Sequence, residues 1–176
     1  IIPSSVTKID YCSFFGCSSL KNISIPSSVT YIGDCAFREC SSLEEISIPS
    51  SVIFLGKWAF YDCSSLARIS ILSTLQSIGE CTFFGCSLLN QIKIPSSVTT
   101  IRKYAFFGCS LIDDISFPST LISIGNCSFG KCSLINEISI PSSVTSIGNR
   151  AFLDCFSLKK ITIASSVTEI GTAAFQ

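Results

Sequence analysis

Residues Ile25–Ile48 read IPSSVTYIGDCAFRECSSLEEISI, and the last 23 residues of this stretch set a pattern that returns along the whole chain. Prolines mark its start at Pro3, Pro26, Pro49, Pro95, Pro118 and Pro141, while Leu72 and Ala164 take the same place in the two copies without proline. Counting from that position gives seven full copies, Pro3–Ile163, and a truncated eighth, Ala164–Gln176. A period of this length is typical of a solenoid, in which each repeat stacks on its neighbours.

Several repeat positions keep one apolar residue type from copy to copy, and they predict the core. Position 12 is Phe throughout: Phe14, Phe37, Phe60, Phe83, Phe106, Phe129, Phe152 and Phe175. Position 15 is Cys in every full copy, position 21 is Ile, and position 23 is Ile except for Phe117. Because protein interiors are close-packed and sensitive to a single methylene, such positions face inward. Positions that vary among Lys, Glu, Asn and Tyr face water.

Positions 17–23 predict a strand. In Ser42–Ile48, Ile46 and Ile48 alternate with Glu45 and Ser47, which is the two-residue period of a β-strand with one buried face. The strands should lie parallel, centred on Ile23, Ile46, Ile69, Ile92, Ile115, Ile138 and Ile161.

The rest of each copy predicts the return path. Positions 4–7 form a second short extended piece, and positions 9–14, such as Asp34–Glu39, predict a single helical turn. Glycine at position 8 indicates a positive φ or a close approach. The predicted fold class is a repeat solenoid: a right-handed leucine-rich repeat coil with one parallel β-sheet on the concave face and short helical turns on the convex side. Residues 1–176 form a single array, expected to be part of a longer one.

Composition narrows the function classes. Twelve basic and twelve acidic residues balance, and no basic stripe is present, which argues against nucleic-acid binding. No apolar run reaches the length of a spanning helix, so no membrane insertion is expected in this segment. The chain contains no His, the commonest general base and metal ligand. We therefore predict no catalytic residues, no metal site, no cofactor and no enzyme activity.

The motif L-x-x-I-x-I-P-x-x-V-x-x-I-G-x-x-A-F-x-x-C-x-x-L resembles the BspA-like, or treponemal-type, leucine-rich repeat. The resemblance implies a cell-surface or secreted protein with a binding or adhesion role, whose partner is a host or matrix protein or another chain. The position where many leucine-rich repeats place Asn holds Ser or Thr in this chain. Bonding at that position must therefore come from hydroxyl groups.

The predicted partner-binding surface is the outward side of the strands, which we call the strand face. It comprises repeat positions 20 and 22: Asn22, Ser24, Glu45, Ser47, Arg68, Ser70, Gln91, Lys93, Asp114, Ser116, Glu137, Ser139, Lys160 and Thr162. An alternative is an aromatic patch of Phe54, Trp58 and Tyr61, since exposed aromatic side chains often anchor interfaces. Phe84 and Phe107 share one position of adjacent copies.

The eleven cysteines favour a ladder of buried thiols at position 15, because one cysteine per coil forms a line rather than a tetrahedral metal site. Four more cysteines, Cys12, Cys35, Cys81 and Cys127, lie at position 10, which is Trp, Tyr or Arg elsewhere and is therefore predicted to be partly exposed and more reactive. Only Cys12 and Cys35 of this group lie in adjacent copies, and they are the one pair at which to look for a disulfide. Reduced thiols favour the alternative function, an intracellular scaffold in the cytoplasm.

Two Asn-x-Ser motifs, at Asn22 and Asn126, are candidate glycan acceptors in a secreted protein. Asn126 is the better candidate from its predicted place before the helical turn.

Overall fold

The structure, a computed structural model, describes residues 1–176 and contains thirteen short β-strands and no helix. The strands are β1 (Lys8–Ile9), β2 (Tyr31–Ile32), β3 (Glu45–Ile48), β4 (Phe54–Leu55), β5 (Arg68–Ile71), β6 (Ser77–Ile78), β7 (Gln91–Ile92), β8 (Thr100–Ile101), β9 (Ser123–Ile124), β10 (Glu137–Ile140), β11 (Ser146–Ile147), β12 (Lys160–Ile163) and β13 (Glu169–Ile170). Each repeat makes one coil of a solenoid, and all strand pairs are parallel.

The longer strands confirm the predicted register. Ile46 pairs with Ile69 in the next coil, and Ile138 pairs with Ile161, so equivalent repeat positions lie side by side. Within β3, Ile46 and Ile48 are buried while Glu45 and Ser47 are exposed. Because the side chains of a strand alternate between its faces, this register directs the position-21 Ile side chains toward the core. They are buried or half-buried in six coils, and only Ile161 in β12 is exposed.

The strand face is not the single sheet that the sequence predicts. It consists of a three-stranded part, β3-β5-β7, and a two-stranded part, β10-β12. Between them, residues Asp113–Phe117 form no strand and no backbone hydrogen bond to either neighbouring coil. Phe117 occupies the position held by Ile in the other copies, and its half-buried ring packs edge-on against Phe129, with the ring centroids 5.6 Å apart. We attribute the interruption to this larger ring, which needs more room than an Ile side chain.

A second parallel ladder, which the sequence did not predict as a sheet, runs through the short extended pieces at positions 6 and 7. It has a three-stranded part, β1-β2-β4, and a five-stranded part that runs from β6 to β13. The ladder breaks between β4 and β6, in the coil where Leu72 replaces proline. In coils with proline, its carbonyl accepts the N–H of position 4, as in Val52 to Pro49 at 3.1 Å, but Leu75 makes no such bond.

Hydroxyl groups supply the bonding expected at position 3. Ser28 Oγ donates to the Val6 carbonyl and Ser51 Oγ to the Val29 carbonyl of the preceding coil, each at 2.7 Å. Ser143 is an exception, because its buried Oγ has no partner.

The predicted helical turn at positions 9–14 is wrong. Position 10 has a left-handed φ in all eight copies, for example 56° at Cys35, and so does position 14 in every full copy, for example 60° at Glu39. A left-handed residue interrupts a right-handed helix. The N–H groups of positions 10, 12 and 14 instead donate to the next coil, with N···O distances of 2.7–3.1 Å. These three bonds recur at all seven junctions between coils. We call this segment of the coils the turn side.

The core lies between the turn side and the strand face. The position-12 Phe rings stack from coil to coil with centroids 5.1–5.6 Å apart, and the inner six have no exposed surface. This confirms the predicted stack, with Phe14 and Phe175 half-buried at its ends. Glycine at position 8 serves close packing, since a Cβ on Gly56 would lie 2.3 Å from the backbone nitrogen of Asp34.

Candidate functional site

The strand face presents all fourteen predicted side chains of positions 20 and 22 to solvent. The strands place equivalent positions next to each other, so that Glu45 lies beside Arg68 and Ser47 beside Ser70. The second part of the face repeats this arrangement, with Ser139 beside Thr162. The structure therefore assembles the predicted residues into two rows, and the rows lose their regular pairing at Asp113–Phe117.

The charges of the strand face are partly compensated within it. Arg68 Nη2 lies 2.8 Å from Glu45 Oε2, and Lys160 pairs with Glu137. Both ion pairs are exposed, so each contributes little to stability, roughly 0–1 kcal/mol. Asp113 and Asp114 form no ion pair. The face thus offers separated charges of both signs among hydroxyl groups.

Two shallow depressions lie on this face. The larger has a volume of about 910 Å³, and its polar lining residues are Asn22, Ser24, Glu45, Ser47, Arg68, Ser70 and Gln91. The smaller, about 540 Å³, lies at the interruption and includes Lys93, Asp113 and Asp114. Broad, polar and open surfaces of this kind suit the rim and hydrogen-bonding parts of a protein interface better than an enclosed small-molecule site.

The three residues of the alternative aromatic patch, Phe54, Trp58 and Tyr61, do not pack together. Phe54 stacks on Tyr31 of the preceding coil, with ring centroids 4.7 Å apart, and Tyr61 stacks on Phe84 at the same distance. Trp58 makes no ring contact with Phe54 or Tyr61. The side chains belong to three separate rows because they occupy three different repeat positions.

The turn side carries a longer aromatic row at position 13, of which the sequence indicated only Phe84 and Phe107. These two rings stack at 5.1 Å, and Tyr61 continues the row. The Arg38 guanidinium lies 4.7 Å from the Tyr61 ring centroid and 5.6 Å from that of Phe15. The row was detectable in the sequence, since it follows from reading position 13 across the copies. Its rings cover one another's faces, which leaves mainly their edges to solvent.

The position-15 thiols form the predicted buried ladder in six of the seven full copies. Each Sγ from Cys40 to Cys155 donates to the carbonyl of the position-12 Phe in the preceding coil, at 3.1–3.3 Å. Burial raises the pKa of Cys40 to about 11 and that of Cys155 to about 12. Cys17, in the first coil that the structure describes, is exposed and makes no such bond. All eleven cysteines are free thiols.

The prediction that the position-10 cysteines are exposed is wrong for three of the four. Cys35, Cys81 and Cys127 are buried, and Cys12 is half-buried. Burial raises the pKa of Cys35 and of Cys81. Stacking of the coils covers these three thiols with the position-10 side chains above and below them, so the variety of residues at this position did not indicate exposure of the cysteines. The accessible thiols are Cys12 and Cys17.

The two candidate glycan acceptors differ in their surroundings. Asn126 Oδ1 accepts the backbone N–H of Asn149 at 2.8 Å, and Ser128 of the same motif is fully buried. Asn22 and Ser24 are both exposed. Asn126 is also exposed, and a glycan on its Nδ2 would leave Oδ1 free to accept the same hydrogen bond, so both asparagines stay candidate acceptors.

No group of three or more His, Cys, Asp or Glu side chains is arranged to hold a metal ion. The structure also contains no helix long and apolar enough to cross a bilayer.

Comparisons with known proteins agree on the family. The family model described as "BspA type Leucine rich repeat region (6 copies)" matches residues 1–111 and again residues 65–176. A leucine-rich repeat protein from Bacteroides ovatus ATCC 8483 is similar over 99% of this chain and 57% of its own, with 30% sequence identity and a TM-score of 0.83. Comparison with curated proteins found no significant match.

Two further solved structures are similar. A leucine-rich repeat protein from Eubacterium ventriosum ATCC 27560 has 28% identity and a TM-score of 0.81, over 95% of this chain and 44% of that chain. The leucine-rich repeat protein TpLRR of T. pallidum has 31% identity and a TM-score of 0.66, over 73% of this chain and 69% of that chain. The chain spans about half the length of the Bacteroides and Eubacterium proteins.

Proposed function

The chain belongs to the BspA-type leucine-rich repeat family, and from that premise we propose that it is a non-enzymatic module that binds a protein partner through its strand face. The observation that carries the proposal is the exposure of all fourteen outward side chains on a broad and open surface, where the two strand ladders hold their side chains in register. Solenoids present such extended surfaces to their partners.

The composition of the strand face favours a folded protein surface as the partner. Its hydroxyl row, Ser47, Ser70 and their equivalents, loses little side-chain entropy on binding, and its charged row provides both signs for electrostatic complementarity. The family resemblance supports a location at the cell surface or outside the cell, with a host or matrix protein, or another chain, as the partner. A catalytic role has little support, since the chain has no His and its exposed carboxylates stand on an open face.

An intracellular scaffold is the second candidate, and the eleven free thiols favour it, because disulfides form and persist mainly in oxidising compartments. Both candidates use the same strand face. They differ in the compartment and hence in the class of partner.

The proposal is tested with two variants that add the same charge to opposite sides of the coils. Ser47→Arg/Ser70→Arg places two cations in the hydroxyl row of the strand face, whereas Ser18→Arg/Ser64→Arg places them at exposed positions on the other side. Binding of each purified variant to immobilised extracellular matrix protein and to a cytosolic extract fraction is measured by surface plasmon resonance. We expect the strand-face variant to weaken binding at least about tenfold, as for charges introduced into an interface, and the control to bind like the unaltered chain. Equal binding by both variants, or equal loss, would contradict the proposal.

A further inference from the structure

An apolar row lies where the turn side leads into the strand face. Three exposed leucines occupy position 17 of consecutive coils: Leu88, Leu111 and Leu134. The residue before each leucine is a serine that contacts the preceding coil. Ser110 Oγ donates to the Ser87 carbonyl at 3.3 Å, and Ser133 Oγ donates to the Ser110 carbonyl at 3.4 Å. The leucines therefore follow one another along the stack, and we call them the leucine row.

The exposure of the leucine row belongs to the interior of the array. Each of its three coils is stacked between two other coils, and the leucine side chains are still 37–45% exposed. The core beneath them is filled by the next residue of each copy, which is fully buried: Leu89, Ile112 or Ile135.

The fold does not require leucine at position 17. The other four full copies hold serine there: Ser19, Ser42, Ser65 and Ser157. Because the same solenoid accepts serine at this position, the three aliphatic side chains fill no space that the core needs. Apolar side chains that are grouped at a surface are typical of an interaction site.

An acidic pair adjoins the middle of the leucine row. Leu111 is exposed, Ile112 is buried and Asp113 is exposed, so the leucine and the carboxylate lie on the same outer side of the coil. Asp114 is also exposed, and neither aspartate forms an ion pair. Both line the depression of about 540 Å³ at the interruption of the strand face, where Lys93 is the one cation. Two carboxylates against one ammonium group leave that depression with a net charge of −1.

These two features specify the chemistry of a partner segment. Aliphatic side chains of the partner would remove the leucine row from water, and a lysine or arginine next to them would pair with Asp113 or Asp114. A second copy of the chain is a poorer match. In a symmetric pair packed row on row the middle coils would meet, which would bring two acidic pairs into one interface.

We propose that the leucine row, together with Asp113 and Asp114, forms a docking site for a basic, aliphatic segment of a protein partner. The proposal rests on the binding role proposed for the strand face, and it assigns the anchoring part of that surface and the chemistry of the partner. The aliphatic side chains of the segment cover the leucine row, and its cation enters the depression at the interruption.

The experiment uses three fluorescent synthetic peptides of equal length as probes. The first contains leucines and lysines, the second has glutamate in place of each lysine, and the third has serine in place of each leucine. Fluorescence anisotropy measures the binding of each peptide to the purified chain. We expect saturable binding of the leucine–lysine peptide and at least about tenfold weaker binding of the other two, because each lacks one of the two matching features.

The leucine row is tested with Leu88→Ser/Leu111→Ser/Leu134→Ser, which introduces the residue that other copies hold at position 17. The matched control is Ile53→Thr/Ile122→Thr, which removes two exposed aliphatic side chains at position 5, where other copies hold threonine. The serine variant should bind the leucine–lysine peptide at least about tenfold more weakly, and the control should bind it within about twofold of the unaltered chain. Circular dichroism and urea denaturation establish that both variants are folded.

The acidic pair is tested with Asp113→Asn/Asp114→Asn. The matched control, Glu44→Gln/Glu45→Gln, removes the same charge at the same repeat positions of a coil with Ser42 at position 17. The asparagine variant should bind the leucine–lysine peptide at least about fivefold more weakly and with less dependence on salt. The control should bind like the unaltered chain. Equal weakening in both variants would mean that only the overall charge matters, and this would overturn the site.

The binding assay of the proposed function separates the two proposals. If Ser47→Arg/Ser70→Arg loses binding to matrix protein while the leucine-to-serine variant keeps it, the docking site is wrong and the binding role of the strand face stands. If neither variant loses binding, both proposals are wrong. Equal binding of the lysine and glutamate peptides, or no saturable binding of the leucine–lysine peptide, would also overturn the docking site. So would a dimer in sedimentation velocity that the leucine-to-serine variant does not form, because the leucine row would then contact a second copy.

Discussion

The turn side and the strand face run the length of the same solenoid, yet only one of them is continuous. On the turn side, three backbone hydrogen bonds, a Phe ring and, in six coils, a buried Cys thiol link each coil to its neighbour. On the strand face the ladder stops at Asp113–Phe117, and the outward side chains differ from coil to coil. The difference indicates that the turn side holds the coils together, which leaves the outward positions of the strand face free to vary.

If the turn side holds the coils together, the largest loss of stability should occur at alkaline pH, where its buried thiols titrate. Burial raises the pKa of the position-15 thiols above the ordinary value of 9.0, to about 11 for Cys40 and about 12 for Cys155. The unfolded chain therefore releases these protons near pH 9 while the folded chain keeps them. The stabilisation is complete below pH 9 and is lost as the pH rises toward the folded-state pKa values. Between the unfolded-state and folded-state pKa values, each thiol lowers the free energy of unfolding by about 1.4 kcal/mol per pH unit.

Denaturant titrations from pH 7 to pH 11 should show this as a steep fall in the free energy of unfolding above pH 9. The control is Cys86→Ala/Cys109→Ala, which removes two of the six buried position-15 thiols. It should be less stable at pH 7, and above pH 9 it should lose stability with a shallower slope than the unaltered chain, because two thiols with a raised pKa are gone. An unchanged slope in this variant would contradict the role assigned to the ladder.

A core substitution gives the next largest effect. Phe83→Ala removes a fully buried ring from the middle of the stack and should cost about 3–5 kcal/mol. Phe117→Ala removes a half-buried ring at the interruption of the strand face and should cost less than about 2 kcal/mol. Urea denaturation of both variants measures the difference. Equal decreases in the free energy of unfolding would mean that the Phe stack and the strand face contribute alike to stability.

Phe117→Ile should have a small effect on stability, within about 1.5 kcal/mol, because it replaces one half-buried apolar side chain with another. If the larger ring causes the interruption, the variant should extend strand pairing through Asp113–Phe117. Nuclear magnetic resonance would detect this as new slowly exchanging amides in that segment. If no amide of Asp113–Phe117 exchanges more slowly in the variant, the interruption has another cause, such as the changed backbone of the neighbouring coil that begins at Leu72.

The positions of the core and of the strands were predictable from the sequence. Phe83 and Ile46 recur without exception at their repeat positions, and the alternation of Glu45, Ile46, Ser47 and Ile48 determined which side chains face solvent. The backbone of the turn side was not predictable. Ala36 and Phe37 have the composition of a helical turn, and nothing in the residue types of Cys35 or Glu39 indicates their left-handed φ.

The burial of side chains at variable repeat positions could also not be predicted from the sequence. Position 10 holds Cys, Trp, Tyr and Arg, and this variety suggested exposure. In the solenoid the smaller of these side chains are covered by their neighbours along the stack, as the buried Cys81 shows, whereas Arg150 is exposed. The composition of the strand face could be predicted from the alternation of residues, but its partner could not, since complementarity is a property of two surfaces.

Residue-resolved amide hydrogen exchange tests the central claim most directly. The N–H groups of positions 10, 12 and 14 in the central coils should be the most protected, with free energies of opening near that of global unfolding. Phe83 and Phe106 are representative, because each donates to the next coil at 2.7–2.8 Å. The amides of Asp114 and Ser116 should exchange rapidly, since they make no backbone hydrogen bond. Uniform protection of both sides, or faster exchange at Phe83 than at Asp114, would contradict the account.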